Sequence, residues 1–169
     1  MYIYLAGPAG SGKSTAAKIF DLLFGFHRYR MSDVLRIREH HQDRAWLQAY
    51  GDRLRAVLGE AALAMIAHQA VITDELLTEQ DIDAVIDGVR LPEEAKYLQD
   101  QGYLGIRIDT PDEIRNQRRI LTDSEKRHHT EQTARHIPAD VIIENTGSMQ
   151  DLVLLIGHEF RLRSKKYGS

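Results

Sequence analysis

The chain has 169 residues, 22 Lys and Arg against 25 Asp and Glu, a formal net charge of −3 and no cysteine. That length suits one domain burying roughly two-thirds of its unfolded surface, and 43% hydrophobic with 28% charged residues is ordinary for a globular chain. Disorder, a collagen-like chain, a disulfide scaffold and a Cys-based zinc site are excluded, the slightly acidic balance disfavours nucleic acid as a partner, and no apolar run is long enough to span a bilayer.

Tyr2-Ile3-Tyr4-Leu5-Ala6 is a strand-forming run ended by Gly7-Pro8. Ala16, Ile19, Phe20, Leu23 and Phe24 then recur at helical spacing until Gly25 stops them. A short Tyr29-Arg30-Met31 segment leads to Ser32, the expected cap of a helix through Asp33-Val34-Leu35-Arg36. A long helical stretch follows, with Leu54, Val57, Leu58, Ala61 and Met65 on one stripe and Gly51 and Gly59 expected to kink or divide it. Ala84-Val85-Ile86 reads as a buried strand, and Pro92 with Glu93 and Glu94 opens the next helix. Leu104, Ile106 and Ile108 alternate as a strand, and Thr110-Pro111-Asp112-Glu113 has the form of a capping box with proline at the first helical position. Val141-Ile142-Ile143 is the last strand; Ser148 opens a last helix carrying Leu152, Leu155 and Ile156. Arg161, Arg163, Lys165 and Lys166 read as its solvated end. Strands alternating with helices imply an α/β class: one domain over 1–169, a parallel sheet of about five strands with helices on both faces. Neither a membrane span nor a targeting segment is expected, which makes the cytoplasm the default location.

Gly7-Pro8-Ala9-Gly10-Ser11-Gly12-Lys13-Ser14 satisfies G-x-x-x-x-G-K-[ST], with a strand before it and an amphipathic helix after it. Glycines let backbone N–H groups turn inward as an anion nest, and the helix N-terminus adds partial positive charge. Lys13 is expected to face solvent and reach the β- and γ-phosphates, and Ser14 Oγ to ligate Mg²⁺. The expected nucleotide contacts are Ala9, Gly10, Ser11, Gly12, Lys13, Ser14 and Thr15. Donor binding, ATP or GTP, follows from this loop; the fate of the phosphate does not. The competing account, a chance Gly-rich turn, has the flanking strand and helix against it.

Four further segments carry a resemblance. Met31-Ser32-Asp33-Val34-Leu35-Arg36, Leu47-Gln48-Ala49-Tyr50-Gly51-Asp52-Arg53-Leu54-Arg55, Val85-Ile86-Asp87-Gly88-Val89-Arg90-Leu91-Pro92-Glu93-Glu94-Ala95, and His129-Thr130-Glu131 followed by Ala139 to Ser148 stand in that order after the loop. Together they resemble the phage and bacterial deoxynucleoside monophosphate kinases, relatives of adenylate kinase and dephospho-CoA kinase, over nearly the whole length. The third segment departs from the family pattern: Gly88 stands where the family has its acid, and Asp87 lies one residue earlier. His128-His129 likewise stands in place of a His-Pro pair. The resemblance implies acceptor-binding helices around 32–72, a short lid around 115–136, and Asn145 with Gly147 beside the adenine; a plain strand-to-helix turn with Ser148 as cap is the alternative for the last.

Asp87 ends a buried strand, where an open α/β sheet presents ligands. It is expected to hold Mg²⁺, in competition with a simple Asp-Gly turn. Asp33 could serve Mg²⁺, the acceptor or only its own helix start. Arg36, Arg55 and Arg90 are the acceptor-side candidates, because a monophosphate dianion suits guanidinium forks. Arg115, Arg118 and Arg119 share one helix face and are either a solvated face or lid residues acting on the transferring phosphoryl group. The histidines, including His40-His41, lack zinc-ligand spacing, with His129 and Glu131 placed nearest the nucleotide by the resemblance.

The resulting expectation is a kinase moving the γ-phosphate of ATP, with Mg²⁺, to a deoxynucleoside monophosphate. An acceptor phosphate is already a nucleophile, so the lack of an obvious catalytic base favours this over a hydroxyl acceptor. A kinase of dephospho-CoA or of a modified base in phage DNA, and a non-enzymatic regulatory ATPase, are the alternatives. ATP and a nucleoside monophosphate are the expected partners; a homodimer stays open.

Overall fold

A computed structural model describes residues 1–36, 44–118 and 133–167. Its strands are β1 (Tyr2–Ala6), β2 (His27–Arg30), β3 (Ala84–Val89), β4 (Leu104–Asp109) and β5 (Val141–Glu144). They form one sheet in the order β2-β3-β1-β4-β5, every pairing parallel. Parallel neighbours need crossovers. These are made by α1 (Lys13–Phe24), α2 (Met31–Arg36), α3 (Arg44–Leu58), α4 (Ala62–Thr78), α5 (Pro92–Asp100) and α6 (Asp112–Arg118), while α7 (Met149–Tyr167) follows β5. The chain winds to one side of β1 through β2 and β3 and then to the other through β4 and β5. A crevice at the carboxyl ends of the central strands is the consequence.

The period-two geometry of β1 sends Ile3 and Leu5 into one layer and Tyr4 and Ala6 into the other. Ile3 and Leu5 meet Ala16, Ala17 and Phe20 of α1 and Leu152 and Ile156 of α7. Tyr4 and Ala6 meet Leu63, Ala67 and Val71 of α4 and Ala95 and Leu98 of α5. Burial on both faces is why these strands are continuous apolar runs rather than alternating ones. The α/β class, the parallel sheet and its two helical layers are as the sequence implied.

Local expectations fared unevenly. Gly25 ends α1 in a left-handed conformation, and Ser148 caps α7: Ser148 N–H donates to Asp151 Oδ2 at 2.7 Å, and Asp151 N–H to Ser148 Oγ at 3.3 Å. Pro92 opens α5. Gly59 separates α3 from α4, whose axes turn by 90°, whereas Gly51 sits buried within an unbroken α3. That turn dissolves the expected stripe: Val57, Leu58 and Met65 are exposed, because residues either side of it no longer share a face. Helix α2 begins at Met31, so Ser32 lies in its first turn rather than capping it. Thr110 does not cap α6; its Oγ1 lies 3.0 Å from Ser11 O and 3.2 Å from Asn145 O, tying three loops together. Among the described residues no single helix is long and apolar enough to cross a membrane.

Candidate active site

The turn from β1 into α1 carries the P-loop. Gly12, immediately before α1, has φ 102°, and a Cβ there would strike the Asn145 side-chain amide. Glycine therefore serves both the left-handed backbone and the close approach of the β5 loop. Behind Gly12, the buried Asn145 Nδ2 donates to Ser11 O at 2.8 Å. Lys13 is only 7% exposed and donates from Nζ to Pro8 O at 2.7 Å, a correction to the expectation that it faces solvent: the loop's own carbonyl takes the ammonium. Ser14 is exposed and Thr15 half-buried, both on the cleft; Ser11 is wholly buried behind the loop.

A cleft of roughly 860 Å³ runs from this loop across the sheet edge. One half of it is walled by Ala9, Gly10, Gly12, Lys13, Ser14 and Thr15 with Asn145 and Gly147. Its other half is walled by Arg30, Met31, Gln48, Arg55, Asp87 and Arg90. Five cationic side chains line the whole (Lys13, Arg30, Arg55, Arg90, Arg118) against one carboxylate, Asp87. An anion-binding site is the electrostatic consequence. No group of three or more His, Asp or Glu suited to a metal occurs among the described residues.

Asp87 is 1% exposed and accepts from Arg28 Nη2 at 2.6 Å, with Arg30 Nε 3.9 Å away. Parallel pairing sets Arg30 beside Asp87, so β2 delivers both arginines to the end of β3. Gly88, with φ 106°, follows in a conformation that favours glycine. Asp33 is on the rim, 3.7 Å from Arg30 Nη1, and does not line the cleft.

The arginines divide. Arg90 lines the cleft, half-buried, and its guanidinium has no partner among the described residues. Arg55 also lines it, but its fork is spent on Glu94 Oε1 at 2.8 Å and Asp52 Oδ1 at 3.2 Å. Arg36 lies in α2. Arg115 points under the P-loop: Nη1 donates to Ala9 O at 2.7 Å, and Nε and Nη2 to Asp112 Oδ1 at 3.1 and 2.5 Å. Arg118 reaches the cleft and donates from Nη2 to Gly147 O at 3.1 Å. Arg119, His40, His41, His128, His129 and Glu131, and with them most of the expected lid, fall outside the described residues. The hydrogen bond from Arg115 is the main reason the Asp112 carboxyl lies below the usual aspartate range; desolvation opposes it, and Arg135 adds a second bond.

The sequence assigns no site role to Arg28, Arg30 or Gln48, and to Glu94 only that of an acid at a helix start. The available signal was the basic pair at spacing two in His27-Arg28-Tyr29-Arg30, which marks one face of a strand.

No protein-family model matches the chain, and no curated protein matches it. Solved structures do. Shikimate kinase from Aquifex aeolicus superposes with a TM-score of 0.60 at 21% identity, covering 100% of both chains. Shikimate kinase from Acinetobacter baumannii, solved with shikimate, gives 0.58 at 20% over 96% of this chain and 93% of that one. Mycobacterium tuberculosis APS kinase, solved with AMPPNP and APS, gives 0.58 at 17% over 95% and 96%. The fold is thus that of the small P-loop kinases. The resemblance to deoxynucleoside monophosphate kinases rests on the quoted segments, with no family model beside it.

Proposed function

We propose that the chain is an ATP-dependent kinase that transfers the γ-phosphate to a deoxynucleoside monophosphate, giving the diphosphate and ADP. The observation that carries the reading is the continuity of the cleft: a phosphate-binding loop at one end opens onto an arginine-rich half walled by Arg30, Arg55 and Arg90. A monophosphate dianion suits such a wall. The structural neighbours, kinases of shikimate and of APS, support small-molecule phosphoryl transfer as the class.

In this reading the backbone from Gly10 to Thr15 cradles the donor phosphates, and Lys13 exchanges Pro8 O for the β- and γ-phosphates. Arg90 and Arg30 orient the acceptor so that one of its phosphate oxygens attacks the γ-phosphorus in line as the bond to ADP breaks. Positioning and charge neutralisation supply the catalysis. Ser14 Oγ and the Asp87 carboxylate are hard oxygen donors on one cleft and fit Mg²⁺, which would neutralise the phosphate charge when bound with ATP. Asp87 is the only carboxylate in the described lining and is engaged by Arg28.

A coupled assay of ADP formation with each dNMP and NMP, dephospho-CoA, shikimate, APS and DNA tests the reading. Turnover dependent on a dNMP is expected. Turnover with a hydroxyl acceptor alone, or ADP formation indifferent to every acceptor, overturns it.

A further inference from the structure

Glu94 is wholly buried, yet the cleft-lining residues do not include it. A carboxylate is so buried only where its oxygens are matched, and here both are. Oε2 accepts the backbone N–H of Arg90 at 2.9 Å and of Leu91 at 3.1 Å. An ordinary helix N-terminus explains that half, because Glu94 is the third residue of α5 and turns back onto the residues before it. It does not explain the other half. Oε1 accepts Arg55 Nη2 at 2.8 Å, across 39 residues of sequence, from α3. One carboxylate therefore joins the helix that walls the acceptor half to the turn that carries Arg90. Thr133 Oγ1 donates to Arg90 O at 2.9 Å and holds the same peptide from its other side. Arg55, its two terminal nitrogens spent on Glu94 and Asp52, is placed as a brace; Arg90, fixed through its main chain and without a side-chain partner among the described residues, is placed to bind.

We infer that Glu94 is a positioning residue that couples Arg55 to the main chain of Arg90 and so sets the acceptor anion site. The acceptor clause rests on the kinase reading above; the coupling does not.

Two readouts separate them. The first is amide hydrogen exchange at Arg90 and Leu91 in the full-length protein, with and without Arg55→Ala and Glu94→Gln. Both variants should speed exchange at these two amides by about tenfold or more, a local opening rather than a global one. Unchanged exchange in Arg55→Ala overturns the coupling whatever the enzyme does. Should Arg55→Ala fail to fold, Arg55→Lys keeps the buried charge with fewer donors and should give a smaller increase at the same amides; no increase there overturns the coupling equally. The second readout is steady-state kinetics. Glu94→Gln should raise the acceptor KM by about tenfold while kcat stays within about threefold, with ATP affinity unchanged, and Glu94→Gln with Arg55→Ala should be no worse than the worse single variant. A KM left unchanged, or a fall in kcat alone, overturns the positioning role. A wild type that turns over no mononucleotide defeats the acceptor reading and leaves exchange to decide the coupling.

Discussion

The two halves of the cleft are built in opposite ways. The half assigned to the donor in the proposed reading is built chiefly from one segment, Ala9 to Thr15, whose chemistry resides in its backbone: glycines, amides and a helix start, pinned from behind by Asn145, Thr110 and Arg115. The half assigned to the acceptor is assembled from side chains on β2, α3, β3 and the turn between β3 and α5, held by the Arg28–Asp87 and Arg55–Glu94 pairs. A segment built from backbone announces itself as a motif. A site built from distant side chains announces itself only through its partners.

If that contrast holds, damage to the donor half should strike turnover or the loop itself, and damage to the acceptor half should strike substrate affinity. The largest effect is expected from Lys13→Ala, which removes a charge from the developing phosphoryl group; kcat should fall by about 10² to 10³ or more. The folded state also loses the bond to Pro8 O, which costs about 1 kcal/mol of stability. Kinetics together with denaturant unfolding check both parts, and wild-type-like turnover would break the donor assignment. Next comes Arg90→Ala, where loss of one charged contact of about 1.5–3 kcal/mol should raise the acceptor KM by roughly tenfold or more. ATP affinity, titrated without acceptor, should stay. Should Arg55→Ala instead prove chiefly destabilising, measured by unfolding, the division between brace and ligand is sharpened.

Gly12→Ala probes the loop backbone. Its Cβ would meet the Asn145 amide at a left-handed φ, a strain of about 1–3 kcal/mol. Lower thermal stability with weaker ATP binding is expected, and an unaffected variant would show the loop to be softer than its geometry implies. The smallest effect concerns Asp112, half-exposed between Arg115 and Arg135. Its folded carboxyl is held below the usual value by the bond from Arg115. Its stabilisation is therefore complete above the ordinary aspartate pKa near 3.9 and is lost as pH falls through the lower folded value. Solvent screening keeps it under about 1 kcal/mol. Asp112→Asn should lose that amount at pH 7 and approach the wild type in strong acid, as denaturant unfolding at the two pH values would show.

Much of this was legible in the sequence, and the gaps have physical causes. The strand–loop–helix of Tyr2 to Phe24 was readable because periodicity and glycine placement are local. Asp87 was found by its position at a strand end, but its partner Arg28 was not, since cross-strand register is not written in either segment alone. Glu94 was read only as an acid favoured at a helix start, which is half of what it does. The stripe from Leu54 to Met65 failed because periodicity was carried through Gly59, where the chain turns by 90°. Thr110 had the sequence of a cap, yet its hydroxyl faces the P-loop and β5 loop carbonyls that tertiary packing brings to it.

In the proposed kinase, donor and acceptor occupy one cleft together. This arrangement is tested most directly by calorimetric titration with adenosine joined to each deoxynucleoside through five phosphates, against ATP and the matching dNMP. Two sites sharing one cleft predict that one such compound binds about 10² to 10⁴ times more tightly than either part alone. Binding no tighter than that of ATP for every member of the set would contradict it.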